Sequence, residues 1–162
     1  MSSALSIGGA IVNEEFVLNE EFVLKVKQFG RSYVPVPPAF GDAGVDLIAS
    51  EPQFIKPGEW ASVPTGVAFE FPPNYVGLVH PRSGMAAKYG ITVLNAPGTI
   101  DSSYRGEIKV ILINHSTEPY DVLPGDKIAQ VVFQHYSVPR IEVVGELSDS
   151  ERGVGGFGST GR

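Results

Sequence analysis

Short apolar runs broken by proline and glycine recur along the chain. Val23–Phe29 alternates apolar and basic residues, with Val23, Val26 and Phe29 against Lys25 and Lys27, the pattern of an edge strand. Val34-Pro35-Val36-Pro37-Pro38 predicts an extended linker. Gly41-Asp42-Ala43-Gly44 predicts a turn into a strand at Val45-Asp46-Leu47-Ile48-Ala49, with an acid inside it. Phe54–Ile55, Trp60–Val63, Gly66–Phe71 and Tyr75–His80 are further short strands. Their turns are Pro57-Gly58, Pro64-Thr65-Gly66 and Pro72-Pro73-Asn74. Tyr120–Leu123 and Lys127–His135 are joined by Pro124-Gly125-Asp126, and Ile141–Val144 predicts one more strand. Pro81–Gly90 is the one good helix candidate, with Ser83 as N-cap and Gly90 at its C-terminal end. This rhythm predicts an all-β barrel or sandwich with one short helix.

The most informative stretch runs from Val93 to Val110. Its arms, Ile91–Leu94 and Ile108–Ile113, are too apolar for an exposed hairpin and predict core strands. Between them lies a polar loop with Asp101, Tyr104 and several turn-formers, which is therefore expected to be rigid. Two readings of the loop stand side by side. Asp101 caps the turn and Tyr104 fills a gap, or the two form part of a reactive site.

At 162 residues the chain predicts one domain with a substantial core. No run of 18 apolar residues is present, so no transmembrane helix is expected. The N-terminus lacks a basic segment leading into an apolar one, so no secretory signal is expected. The absence of cysteine excludes disulfides and a thiol nucleophile, and fits a reducing cytoplasm. A net charge of -6 argues against general nucleic-acid binding, so an anionic partner needs a local cluster of cations. One candidate cluster is Arg82-Ser83-Gly84, where arginine, hydroxyl and free amides meet at a helix start. The plainer reading is a surface arginine beside a capping serine. Asp46 either caps its strand or holds a metal's water shell. Gln130, within the apolar run of Lys127–His135, bonds backbone or points into a site.

The ends differ from the middle. Residues 1–20 predict a disordered extension. Asn13-Glu14-Glu15-Phe16-Val17-Leu18 is repeated at once by Asn19-Glu20-Glu21-Phe22-Val23-Leu24, a duplication too short for a structural repeat. Arg152 through Arg162 is rich in glycine, with Phe157, Ser159 and Thr160 among the glycines. Such a segment is either a floppy tail or a phosphate cradle. Phe157 could stack on a base. The tail lacks the Gly-Lys-Ser/Thr ending of a Walker loop.

Five segments taken together resemble the motifs of the trimeric deoxyuridine triphosphate nucleotidohydrolase (dUTPase) family, in the family's order. They are Ala43-Gly44-Val45-Asp46-Leu47, Pro81-Arg82-Ser83-Gly84-Met85-Ala86, Gly98 through Glu107, Pro124 through Gln130, and Arg152 through Gly161. The resemblance spans roughly residues 22–162. Val45 stands where tyrosine is frequent and Met85 where leucine is usual, and neither departure removes a functional group.

The resemblance implies a jelly-roll-type β-barrel at 21–147, with a Gly-rich C-terminal arm at 148–162 closing over the site. It implies a cytoplasmic homotrimer with shared active sites, which binds neither nucleic acid nor membrane directly. It implies hydrolysis of dUTP to dUMP and pyrophosphate with Mg2+, which limits uracil incorporation into DNA and supplies dUMP for dTMP synthesis. Asp101 would be the general base for water attacking the α-phosphorus. Asn95 and the loop backbone would read uracil, and Tyr104 would lie under the deoxyribose. Gly98, Thr99, Ile100 and Lys109 would line the same pocket. Arg82, Ser83, Gly84 and Gln130 would bind phosphates. Asp46 would hold Mg2+ through water, the triphosphate supplying most ligands. Arg152, Phe157, Gly158, Ser159 and Thr160 would close over the nucleotide. Two rival readings are a dCTP deaminase, similar in fold and trimer, and a nucleotide-gated regulator on the same fold.

Overall fold

The computed structural model describes residues 22–155, and both the expected disorder of 1–20 and the end of the glycine-rich tail fall outside that range. The described chain holds eleven strands and one helix. In order they are β1 (Lys25–Gln28), β2 (Val45–Ile48), β3 (Gln53–Ile55), β4 (Trp60–Pro64), β5 (Val67–Glu70) and β6 (Tyr75–His80). Then follow α1 (Ser83–Tyr89), β7 (Ile91–Val93), β8 (Gly98–Asp101), β9 (Lys109–Asn114), β10 (Tyr120–Val122) and β11 (Lys127–His135). All pairings are antiparallel. A four-stranded sheet runs β2-β11-β6-β8 and a three-stranded sheet runs β4-β9-β7, with the pairs β1-β5 and β3-β10 completing the all-β, jelly-roll-type barrel.

Period-two burial explains why these residues form strands. In β9 the pattern alternates so that Val110, Leu112 and Asn114 face inward. Leu47, Ile55, Val63, Val67, Ile91, Val110, Leu112, Val122, Ile128 and Val131 are almost fully buried and form one cluster. Each such side chain contributes about 1.5–3 kcal/mol by leaving water. Phe133 gathers a second aromatic layer, with ring centroids 5.3 Å from Phe22, 5.0 Å from Phe71 and 6.2 Å from Phe69. The edge-strand expectation for β1 holds, since it pairs only with β5. Lys25 lies opposite Glu70 and bonds it at 2.6 Å. That hydrogen bond, and then the ammonium charge, hold the Glu70 carboxyl below its usual range.

Three local expectations are corrected. Residues 94–107 are not simply a loop between two arms. β7 and β9 do pair, with Val93 opposite Leu112, but β8 lies between them in sequence and joins the other sheet beside β6. The reason is visible in its alternation, Gly98 and Ile100 inward and Thr99 and Asp101 outward. Ser83 is the first helical residue rather than the N-cap. Arg82 takes that position with extended backbone and no side-chain cap bond. Gly90 does end the helix in the left-handed region at φ 66°, returning its N–H to Ala86. Finally, Ile141–Val144 forms no strand. Ile141, Val143 and Val144 are exposed, and no strand edge among the described residues takes them up.

Two polar clamps fix the connections. Thr65 is buried and donates through Oγ1 to the Ile108 carbonyl at 2.6 Å. Its neighbour Gly66, at φ 68°, donates its N–H to the Glu107 carboxylate at 2.9 Å. Together they tie the return from β8 into β9 to the turn before β5. At the far end of β9, Asn114 is fully buried. Its amide donates to the carbonyls of Ile55 at 3.0 Å and Glu118 at 2.8 Å, while its oxygen accepts from the N–H and hydroxyl of Ser116. Truncating this side chain removes four hydrogen bonds, the buried one to the Ile55 carbonyl among them. Asn114→Ala is expected to cost about 2–4 kcal/mol in denaturant unfolding, and a loss under about 0.5 kcal/mol contradicts this account of the clamp.

Candidate active site

The sequence-predicted site residues from Asp46 to Gln130 line two clefts. The first holds about 740 Å³ and is lined by Asp46, Arg82, Ser83, Gly84 and Gln130, with Lys88 and Tyr89 from the same helix. Its construction follows from the sheet. Gln130 lies at the centre of β11, opposite Asp46 on one side and His80 on the other. Its amide donates to the Pro81 carbonyl at 3.3 Å, just where the chain turns toward the helix. A side chain at Gly44 would displace the Gln130 amide from its present place, so glycine there admits that amide. Arg82, at the helix start, reaches back to this strand layer. Its Nε lies 3.1 Å from Asp46 Oδ1, and its Nη1 donates to the Lys127 carbonyl at 3.0 Å. Lys127 Nζ holds the other carboxylate oxygen of Asp46 at 2.7 Å. Ser83 and Gly84 are exposed at the cleft.

The second cleft holds about 320 Å³ and is lined by Asn95, Gly98, Thr99, Ile100, Asp101, Tyr104 and Lys109. Its floor is apolar, from Val79, Val93, Ile108 and Val110. It sits where the chain passes from the three-stranded to the four-stranded sheet. β8 is the edge of the latter, so its outer N–H and C=O groups face away from β6. Gly98 lets the Asn95 side chain approach, since a Cβ there would stand 3.2 Å from Asn95 Nδ2. Tyr104 is held at three points. Its N–H donates to the Asp101 carbonyl at 3.0 Å, its hydroxyl donates to the Glu107 carbonyl at 3.0 Å, and its ring lies on the bare Cα of Gly106. Arg105 staples the same turn, donating to the carbonyls of Ser102 at 2.6 Å and Tyr104 at 3.0 Å. Asp101 is exposed at the end of β8. Lys109 stands 3.7 Å from Glu107.

No residue lines both clefts. Arg152 lines neither. It is exposed, and its Nε donates to the Gly155 carbonyl at 2.8 Å within a local turn. Phe157, Gly158, Ser159 and Thr160 lie outside the described residues. Sequence reasoning passed over Lys127, whose signal was its place beside Asp126 at the start of β11. It also passed over Ser62, Lys88 and Tyr89, which carry no motif of their own and reach the clefts through the fold.

In chemical terms, the first cleft offers cations, a hydroxyl and an amide, with Asp46 paired to its cations and Asp42 at its rim, a set suited to an anion with several oxygens. The second offers an apolar floor, an open strand edge, an aromatic ring and a carboxylate, a set suited to a flat polar heterocycle and its sugar.

Comparison with known proteins places the chain in a family. The family model for dUTPase matches residues 31–161. The chain is 48% identical over 143 residues to a deoxyuridine 5'-triphosphate nucleotidohydrolase of Anaeromyxobacter sp., covering 86% of this chain and 97% of that protein. To the protein of the same description from Nautilia profundicola it is 51% identical over 140 residues, covering 86% and 99%. Among solved structures it resembles the dUTPase of Staphylococcus bacteriophage 80alpha with dUpNHpp, with a TM-score of 0.80 and 29% identity over 86% of this chain and 99% of that one. It also resembles a mutant dUTPase of the S. aureus phage phi11 described with a structural Mg(II) ion, with a TM-score of 0.73 and 25% identity over 78% and 99%. The family model and these relatives show that the chain belongs to the dUTPase family.

Proposed function

We propose that this chain hydrolyses dUTP to dUMP and pyrophosphate in active sites shared between the copies of a homotrimer. The observation that carries the reading is the division of one site into two clefts with no lining residue in common. A nucleoside triphosphate needs both, so the base-and-sugar cleft of one copy works with the phosphate cleft of another. A second feature supports association. Past β11 the chain presents Val138 (76% exposed), Ile141 (87%), Val143 (94%) and Leu147 (87%), apolar surface suited to a neighbouring copy.

Uracil enters the second cleft against the open edge of β8, where backbone groups and the Asn95 amide match its two carbonyls and one N–H. Cytosine reverses the polarity at position 4 and leaves a buried group unpaired, which is how such a site rejects it. Gly98, Thr99 and Ile100 supply the strand edge, and Lys109 closes the far wall. The deoxyribose rests on Tyr104. Because that ring is fixed against Gly106 and by the Glu107 carbonyl, it cannot swing aside for a 2′-hydroxyl. Asp101 holds a water and takes its proton as the water attacks the α-phosphorus.

In the first cleft Arg82, Ser83, Gly84 and Gln130 bind the phosphate chain. The described residues hold no group of three or more histidine, cysteine, aspartate or glutamate side chains, so they form no protein-built metal cage. Asp46 alone, already shared by two cations, fits a hydrated ion touched through water. Bound with the triphosphate, magnesium supplies charge neutralisation on the phosphate oxygens. The arm at 148–162 closes the site, with Arg152, Ser159 and Thr160 on phosphates, Gly158 giving close backbone approach and Phe157 on the base. The barrel unit is residues 21–147. The reaction acts on the cytoplasmic deoxynucleotide pool, limits uracil in DNA and yields dUMP for dTMP synthesis. No described helix is long and apolar enough to cross a membrane.

Two variants test the roles. Asp101→Asn is expected to lower kcat for pyrophosphate release by about 10²- to 10⁴-fold while leaving affinity for an imido-dUTP analogue nearly unchanged. A near-normal kcat removes Asp101 from the role of base. Tyr104→Ala is expected to raise the kcat/KM for UTP relative to dUTP by at least about tenfold, and an unchanged ratio counts against the sugar gate.

A further inference from the structure

We infer that Lys127 is a positioning residue for the triphosphate grip: it draws off the charge of Asp46 and so leaves Arg82 free to bind phosphate. The inference rests on the phosphate role proposed for the first cleft. Asp46 stands between two cations, and its shorter contact, 2.7 Å, is to Lys127, against 3.1 Å to Arg82. Arg82 sets its Nε beside Asp46 and donates its Nη1 to the Lys127 carbonyl at 3.0 Å. A lone carboxylate facing a guanidinium tends toward a two-pronged pair that uses up its fork. Here the pair is one-pronged. Lys127 neutralises the second carboxylate oxygen, and its carbonyl turns the guanidinium so that its remaining N–H groups are available to the cleft.

The placement of Lys127 is built into the fold. The turn Pro124-Gly125-Asp126 is stitched to the end of β2 in both directions. Gly125 donates its N–H to the Ala49 carbonyl and Ala49 donates its N–H to the Asp126 carbonyl, each at 2.9 Å. The Asp126 carboxylate accepts the Leu123 N–H at 2.8 Å. Lys127 then lies opposite Ile48, two residues from Asp46 and on its face of β2. A register irregularity follows between Lys127 and Ala129, which sets Gln130 opposite Asp46. Lys127 does not itself line the cleft, whereas Asp46 and Arg82 do, so it acts through them.

All three side chains are partly exposed, at 37% for Arg82, 29% for Asp46 and 54% for Lys127, so the effect is moderate and screened by salt. The test measures affinity by calorimetry, with Mg2+, for dUpNHpp and for dUMP. The variants are Lys127→Gln, Lys127→Arg, Arg82→Gln and Asp46→Asn, with Lys127→Gln also placed in the Asp46→Asn background. Lys127→Gln is expected to weaken dUpNHpp about three- to fivefold and leave dUMP unchanged. Lys127→Arg restores the affinity, and Lys127→Gln adds no further loss once Asp46 is Asn. An equal loss for dUMP, or an undiminished loss in the Asp46→Asn background, overturns the inference, the second result by showing direct phosphate contact. If Arg82→Gln weakens dUpNHpp and Lys127→Gln does not, this inference alone fails. If Arg82→Gln has no effect, the reading of the cleft fails with it.

Discussion

The clamp of Thr65 and Gly66 onto Glu107 and Ile108 governs the geometry of the base-and-sugar cleft. The chain leaves the three-stranded sheet after β7, pairs with the four-stranded sheet as β8, and must return to β9. That path strands several polar backbone groups between two layers, and each needs a partner. Thr65 and Gly66 meet the carbonyl of Ile108 and the carboxylate of Glu107 at the point of return, and the Ile108 N–H goes to the Val67 carbonyl at 2.9 Å. With that point fixed, the turn holding Tyr104 closes on itself through Asp101, Glu107 and Arg105. Asp101 and Tyr104 are thus carried by a segment anchored in both sheets, which suits the roles proposed for them.

The phosphate cleft rests on a different kind of order. It is electrostatic, centred on one carboxylate among two cations, at the junction of the helix with β2 and β11. Neither cleft is complete for a triphosphate. Among the described residues the second cleft has Lys109 as its only lining cation, whereas Arg82 and Lys88 both line the first. The two clefts share no lining residue, which is the observation behind the proposed sharing of sites between copies.

Much of this was legible in the sequence. Short apolar runs located β4, β6, β9 and β11, and the proline- and glycine-rich turns separated them, because core strands need apolar side chains and the turns between them need special backbone. What was missed has physical causes. β8 was hidden because Gly98 and Thr99 look like turn residues, although glycine is needed there to admit Asn95 and threonine faces out. The helix cap was displaced by one residue because Arg82 takes the extended backbone of the N-cap position while Ser83 is already helical. Ile141–Val144 has the apolar content of a strand, but within one chain it finds no edge to pair with. The motif residues of both clefts were named from resemblance, whereas their distribution over two clefts is a property of sheet topology that no linear pattern records.

The central claim is that a working site draws Asp101 from one copy and Arg82 from another. Active-site complementation tests it most directly. Asp101→Asn and Arg82→Ala chains, each nearly inactive alone, are unfolded together in equal amounts and refolded as mixed oligomers. Random mixing gives an intact pair in about one quarter of sites, and the account predicts recovery of about that fraction of wild-type pyrophosphate release. A mixture no more active than its two components would place both residues in a site made by a single chain and contradict the account.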